Sequence, residues 1–139
     1  MKFGYYILNT YVPELDGESP ELYAHWLEQI DAAEDLGFDS LWITEHHFRY
    51  FGGMMPSPSV ILAAAAQRTK KMRLGSAVSI LPMHNPLRIA EEFAMVDLLS
   101  NGRLNFMRGP RHASDGVCGF RLRMEKCPEP SARSARHRY

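Results

Sequence analysis

The sequence predicts an α/β fold built from parallel (β/α) units, and three observations support this class. Apolar segments of strand length alternate with segments in which apolar residues recur at helical spacing. Each helical segment is preceded by a capping residue and a proline, at Ser19–Pro20, Ser57–Pro58 and Asn85–Pro86. The connections between the strands are long enough for helical crossovers, which parallel strands require. With 139 residues, 45% of them hydrophobic, the chain can form one domain with a core.

The first unit comprises a strand and a helix. Residues 3–8 are rich in aromatic residues, Ile and Leu, as a buried strand is. After a polar loop over residues 9–18, Ser19 is the expected N-cap of a helix that ends at Gly37, where glycine suits a left-handed residue. Leu22, Trp26, Ile30 and Ala33 recur at helical spacing and predict its buried face.

The second strand carries the candidate site. The segment Phe38–Phe48 begins with apolar and aromatic residues and then changes abruptly to Glu45, His46 and His47. A carboxylate and two imidazoles would therefore stand at the C-terminal end of a strand, where ligands bind in parallel α/β folds. The long loop that follows, residues 45–58, is of a kind that is often functional.

The remaining units repeat the alternation. A helix is expected over residues 59–69, followed by a third strand, Arg73–Leu81, whose small and apolar residues indicate that both of its faces are covered. A third helix begins at Asn85–Pro86 and ends at Asn101–Gly102, and a fourth strand begins at Leu104. The predicted order is β-α-β-α-β-α-β.

Charge divides the chain into two parts. Residues 1–107 carry 8 basic and 13 acidic residues, whereas residues 108–139 carry 8 basic and 3 acidic residues. The zero net charge of the whole chain argues against nucleic acid as the main partner. No stretch approaches the roughly 20 apolar residues of a membrane span, and the two cysteines form neither a zinc motif nor a disulfide framework. We expect a soluble, cytoplasmic protein without a membrane partner.

Four motifs resemble one known family. They are Gly37-Phe-Asp-Ser-Leu-Trp-Ile-Thr-Glu-His-His47, Leu74-Gly-Ser-Ala-Val-Ser-Ile-Leu-Pro82, His84-Asn-Pro86 and Leu98-Leu-Ser-Asn-Gly-Arg-Leu-Asn-Phe106. In this order and spacing they resemble the bacterial luciferase-like flavin-dependent monooxygenases, of the alkanal monooxygenase type. The resemblance covers residues 1–106 and implies roughly the first half of a TIM-type (β/α)8 barrel. Residues 107–139 depart from the family, and we expect a basic tail that is disordered or translated out of frame.

The resemblance also implies a chemistry. The family uses reduced FMN, or a deazaflavin in one branch, with O2 to oxidise an aldehyde or a similar small substrate, in some cases with a flavin reductase as partner. It implies His46 as the catalytic base with His47 beside it, and Glu45, Ala77, Val78 and Ser79 as cofactor-binding residues. A non-proline cis peptide bond is expected near Ala77–Val78.

Three alternatives remain to be weighed. A metal site at Glu45, His46, His47 and His84 is not expected, because adjacent histidines after a strand point to opposite faces, and His84 is expected to be structural. A small doubly wound α/β domain that binds a nucleotide is disfavoured because no glycine-rich phosphate loop follows Leu8. The third alternative is a non-catalytic half-barrel that acts as an interaction or dimerisation module. Exposed strand edges predict a homo- or heterodimer in either case, and we expect the short chain to be weakly active or inactive.

Overall fold

The computed structural model of the protein describes residues 1–8, 10–47 and 54–109. The strands are β1 (Gly4–Ile7), β2 (Ser40–Ile43), β3 (Arg73–Ser76), β4 (Ser79–Ile80), β5 (Leu104–Asn105) and β6 (Arg108–Gly109). The helices are α1 (Pro13–Asp16), α2 (Ser19–Asp35), α3 (Pro58–Arg68) and α4 (Pro86–Leu99), and a 3-10 turn covers Leu81–Met83.

The strands form a parallel sheet in the order β1-β2-β3-β5, and β4 pairs in parallel with β6. Helices α2, α3 and α4 connect successive strands of the sheet, so the predicted α/β class of parallel (β/α) units is confirmed. The β4–β6 pair carries the described fold to Gly109, past the boundary expected at residue 106. The division into a partial barrel and a tail remains a prediction, because residues 110–139 lie outside the described residues.

The third predicted strand is interrupted, which corrects the continuous strand expected over Arg73–Leu81. The peptide bond Ala77–Val78 is cis, as the resemblance implied, and it separates β3 from β4. The backbone remains hydrogen-bonded on both sides of the interruption. The Ala77 N–H donates to the Ile43 carbonyl over 2.7 Å, and the Ser79 N–H donates to the Met107 carbonyl over 2.9 Å.

The helix ends follow most of the capping signals. The Asn85 side chain accepts hydrogen bonds from the backbone N–H groups of Leu87 and Arg88, so the predicted N-cap of α4 is confirmed. The prediction that Ser19 is the N-cap of α2 was wrong. The N-cap is Glu18, which forms a capping box with Glu21. Gly37 has a φ of +85°, the left-handed conformation that its place at the end of α2 predicted.

The two faces of the sheet differ in what they pack against. Leu41 and Ile43 of β2 are fully buried in one core cluster with the apolar face of α2 and α3. Trp42, between them, points to the opposite face. A Cβ added to Gly4 or Gly75 would collide with the Trp42 ring, so glycine on β1 and β3 leaves the room that the indole occupies. The other core residues are Ile7, Leu22, Trp26, Ile30, Ala33, Met55, Ile61, Leu62, Ala65, Ala66, Met72, Leu74, Ile89, Phe93 and Val96.

Several large apolar side chains of the last units are exposed. On α4, Leu87, Met95 and Leu98 are 62–81% exposed, and Phe106 and Met107 beyond β5 are also exposed. No described helix has both the length and the hydropathy needed to cross a membrane.

Candidate functional site

The candidate site lies where β2 ends, beside the break between β3 and β4. Two hydrogen bonds join these segments: the Ala77 N–H donates to the Ile43 carbonyl, and the Ile80 N–H donates to Glu45 Oε2 over 3.1 Å. The sequence therefore brings Glu45, His46 and the segment Ala77–Ser79 to the same end of the parallel sheet. This is the end at which ligands bind in (β/α) folds.

Glu45 is the centre of a buried polar cluster. Its side chain has no exposed surface, and its Oε1 lies 2.9 Å from His47 Nε2 and 2.7 Å from His84 Nε2. With the Ile80 N–H on Oε2, both carboxylate oxygens accept hydrogen bonds from the protein. The predicted role of Glu45 in cofactor binding thus remains a prediction, and any effect on a cofactor would pass through the groups that the carboxylate holds.

His47 and His84 reach Glu45 from different parts of the chain. His47 follows β2 directly, whereas His84 follows the 3-10 turn after β4, where its backbone N–H donates to the Leu81 carbonyl over 3.0 Å. The sequence analysis placed both histidines with Glu45 only in a metal site that it did not expect, and it expected His84 to be structural. The motif His84-Asn-Pro86 stands directly at the capped start of α4. This location is the signal that could have indicated a fixed position for the His84 side chain.

His46 is half-buried and stands apart from that cluster. Its backbone N–H donates to the Met55 carbonyl over 3.2 Å, which ties the end of β2 to the segment before α3. Within the described part of the chain, no hydrogen bond to its imidazole is present. Its separation from Glu45, which is bonded instead to His47, agrees with the alternating directions of successive side chains after a strand.

Ala77, Val78 and Ser79 lie at the same end of the sheet, at the break between β3 and β4. Ala77 and Val78 are half-buried, so part of their surface remains available for contact. Ser79 is fully buried, and its Oγ is the one buried side-chain polar atom of the described residues that has no hydrogen-bond partner. An unpaired buried hydroxyl costs free energy unless another group satisfies it.

An apolar cavity lies elsewhere in the described part of the chain. It has a volume of about 620 Å³ and none of the predicted site residues contributes to its wall. It runs between α4 and the strands β5 and β6, and its lining is mostly apolar: Leu81, Pro86, Ile89, Ala90, Phe93, Ala94, Asp97, Leu104, Phe106 and Arg108.

The family model of the luciferase-like monooxygenases matches residues 1–123. The chain belongs to this family. A curated member, the alkanal monooxygenase alpha chain of the Kryptophanaron alfredi symbiont, is 37% identical over 106 residues, which are 76% of this chain and 29% of that protein. The crystal structure of the monooxygenase RslO1 from Streptomyces bottropensis superposes with a TM-score of 0.78 at 34% identity, over 83% of this chain and 35% of RslO1.

Two more distant solved structures share the fold and differ in cofactor. The oxygenating constituent of 3,6-diketocamphane monooxygenase from Pseudomonas putida, in complex with FMN, is 22% identical with a TM-score of 0.72 over 81% of this chain and 30% of its own. An F420-dependent secondary alcohol dehydrogenase is 27% identical with a TM-score of 0.61 over 78% and 31%. The chain thus spans about a third of the relatives that it matches, and its strands and helices form a partial TIM-type barrel.

Proposed function

We propose that the chain carries the first units of a luciferase-like flavin-dependent monooxygenase, an oxidoreductase that uses reduced FMN and O2 on an aldehyde or a similar small organic substrate. The observation that supports this best is that His46 directly follows β2, whose Ile43 carbonyl accepts a hydrogen bond from the Ala77 N–H. His46 and the segment Ala77–Ser79 therefore share the C-terminal end of the parallel strands. A deazaflavin is the less favoured cofactor, because the motif Glu45-His46-His47 resembles the alkanal monooxygenase branch.

The residues at this end of the sheet fit a flat ring cofactor. The small, partly exposed Ala77 and Val78 would let a ring approach the backbone. The neighbouring Ser79 Oγ has no described hydrogen-bond partner, but it is buried and would reach a polar ring atom only after its side chain turned towards the surface. Gly109 backs the segment Ala77–Ser79, because a Cβ there would collide with Val78.

In this proposal each residue has a limited role. Reduced flavin, when bound, supplies the electrons with which O2 is activated. His46, with a half-buried imidazole that has no partner among the described residues, takes or gives a proton at the reacting atoms. His47 follows His46 in the chain, and its imidazole lies 2.9 Å from Glu45 Oε1. His47 and Glu45 thereby position the segment that follows β2. Ala77 and Val78 supply an apolar surface beside this segment, and closure of the barrel by further units would exclude water from the reacting centre.

The finer parts of the proposal concern the chain by itself. We propose that the 139-residue chain binds flavin weakly and is weakly active or inactive, because it spans 29% of the alkanal monooxygenase alpha chain and phosphate groups bind near late strands in such barrels. We further propose a cytoplasmic setting with a flavin reductase as the source of reduced cofactor.

The test is a titration of FMN with the purified chain, followed by flavin fluorescence. Ala77→Leu fills the proposed contact surface, and Ala32→Leu makes the same change at an exposed site on α2. We expect weak binding to the parent and to the Ala32→Leu variant, and a loss of at least tenfold in Ala77→Leu. Equal affinity for all three proteins, or no binding to the parent, would refute flavin binding at the segment Ala77–Ser79. Tight stoichiometric binding to the parent would refute the proposed weakness of the isolated chain.

A second candidate function is favoured by the apolar groove along α4. In the described sheet β1 and β5 are edge strands, and the groove of about 620 Å³ lies beside β5. An open edge next to an apolar groove can accept further (β/α) units. We propose as its occupant the (β/α) units of a second half-barrel chain, since the relatives are about three times as long as the matched region. The chain would then act as a non-catalytic half-barrel module that forms a homo- or heterodimer.

Size-exclusion chromatography with light scattering tests this candidate. Ala90→Glu places a charge in the groove, and Ala32→Glu is the matched change on α2. A dimer that Ala90→Glu dissociates and Ala32→Glu preserves is the expected result. A monomeric parent that also fails to associate with the C-terminal units of a family member would contradict the module.

A further inference from the structure

Three side chains that commonly bind metals converge at the end of β2. The candidate ligand atoms of Glu45, His47 and His84 all lie within 4.8 Å of one another. Adjacent histidines after a strand point to opposite faces, and His47 is the one of the pair that reaches Glu45. The second imidazole of the cluster comes from His84, which follows the turn after β4. Two imidazoles and one carboxylate are a common protein ligand set for transition metals.

The spacing of these atoms is close to that of a metal site. His47 Nε2 and His84 Nε2 lie 2.9 Å and 2.7 Å from Glu45 Oε1. Bonds of about 2.0–2.1 Å to a tetrahedral Zn²⁺ place neighbouring ligand atoms about 3.3 Å apart. Small outward movements of the two partly exposed imidazoles would therefore admit the ion between the two Nε2 atoms and Glu45 Oε1.

The surroundings hold the ligands in place. Glu45 is fixed by the Ile80 N–H on its other oxygen, and the backbone of His84 is fixed by the Leu81 carbonyl. Hydrogen bonds of this kind orient the ligands in metalloproteins. The Glu45 side chain is fully buried, whereas those of His47 and His84 are 15% and 23% exposed, so an ion can enter from the histidine side.

We propose that Glu45, His47 and His84 form a binding site for a divalent transition-metal ion of the Zn²⁺ type. The three protein ligands leave a further coordination position for water or another group. The site shares Glu45 and His47 with the positioning role proposed above but uses neither His46 nor the segment Ala77–Ser79, so metal binding and flavin binding are measured separately. The competing explanation is a cluster held by hydrogen bonds alone, with both imidazoles donating to the carboxylate.

The test uses the untagged full chain in a Cys118→Ser/Cys127→Ser background, because thiolates also bind zinc. Isothermal titration with Zn²⁺ gives the stoichiometry, and Co²⁺ absorption reports the coordination. His84→Asn and His47→Asn each remove one ligand. His25→Asn is the matched control, because His25 is an exposed histidine on α2 whose ring bonds to Gln29.

We expect one ion per chain, with an affinity that His25→Asn leaves unchanged. Each ligand variant should lose at least the ~10–100-fold that removal of an outer-shell partner costs. Absence of binding, or binding that His84→Asn preserves, would overturn the site and support the hydrogen-bonded cluster. If a ligand variant fails to fold, X-ray absorption of the Zn²⁺-loaded parent decides: two imidazoles with oxygen support the site, and any other donor set overturns it.

Discussion

Arg103 is the residue whose replacement should test the fold most directly. Its guanidinium lies at the N-terminal end of the sheet, between the end of α3 and the end of α4. Nε donates to the Ser100 carbonyl over 2.7 Å, Nη1 to Thr69 Oγ1 and the Met72 carbonyl over 2.8 Å each, and Nη2 to the carbonyls of Ala66 and Thr69 over 3.0 and 2.9 Å. One side chain therefore satisfies five acceptors, several of which are carbonyls left free where α3 ends.

Arg103→Met keeps much of the aliphatic stem and removes all five donors. At a net contribution of about 0.5–1.5 kcal/mol per hydrogen bond, the gross loss is roughly 2.5–7.5 kcal/mol. Burial lowers the pKa of Arg103, with Glu34 opposing it, so part of the loss is offset when the desolvated cation is removed. Bonds made by one side chain are also not additive. We expect a decrease of about 3–4 kcal/mol in the free energy of unfolding, a large share of the roughly 5–15 kcal/mol of a small domain.

Urea denaturation followed by far-UV circular dichroism measures this loss. Arg103→Lys should be intermediate, because an ammonium has three donors on one atom and cannot reach both helix ends. Arg88→Met is the matched control, since the Arg88 side chain is 72% exposed and pairs only with Glu91 among the described residues. If Arg103→Met and Arg88→Met unfold at the same urea concentration, the reasoning on Arg103 is wrong.

Three further substitutions have expected outcomes. Gly75→Ala puts a Cβ into the Trp42 ring and should cost about 1–3 kcal/mol with a shift in tryptophan fluorescence; an unchanged melting temperature would contradict it. Asn85→Ala removes the α4 cap and should cost about 1 kcal/mol in urea denaturation, whereas Asn85→Asp should retain most of the stability. Burial would raise the pKa of Glu34, but hydrogen bonds from the backbone N–H groups of residues 70–72 and the charge of Arg103 lower it overall. The carboxylate therefore stabilises the fold above its ordinary pKa and loses this effect as pH falls through its depressed pKa. Glu34→Gln should lower stability by about 1–3 kcal/mol near pH 7, and its difference from the parent should shrink in acid; a difference independent of pH would refute this account.

Local signals in the sequence predicted most of the elements. Proline at the first turns of α2, α3 and α4 and glycine at Gly37 act within a few residues, so they need no tertiary context to mark helix ends. Where several groups compete for the same backbone N–H, the outcome was less certain. Glu18 rather than Ser19 caps α2 because the Glu18 side chain accepts from the Glu21 backbone N–H while the Glu21 side chain accepts from the Glu18 backbone N–H. Ser57 is the N-cap of α3, but its Oγ bonds to the Ser59 side chain rather than to a backbone N–H of the helix.

In the candidate site, too, local sequence signals predicted some features, whereas contacts between distant residues decided others. The abrupt change from apolar to polar residues after Ile43 located the end of β2, and the segment Ala77–Ser79 was expected beside it. The carboxylate of Glu45, however, is shared by groups far along the chain, the His84 ring and the Ile80 N–H. Their meeting depends on the path of the backbone through the break at Ala77–Val78, which no periodic pattern encodes.

The sequence by itself determined the parallel α/β class, the starts of α2, α3 and α4 to within one residue and the strand end that bears the histidines, because alternation and capping are properties of neighbouring residues. The short helix α1, within the loop expected over residues 9–18, was not predicted. Tertiary structure alone decided which imidazole faces Glu45, where Arg103 and Glu34 find their backbone partners, and that the third strand divides in two. Those outcomes depend on side chains and backbone groups that are distant in sequence and become neighbours when the parallel strands align.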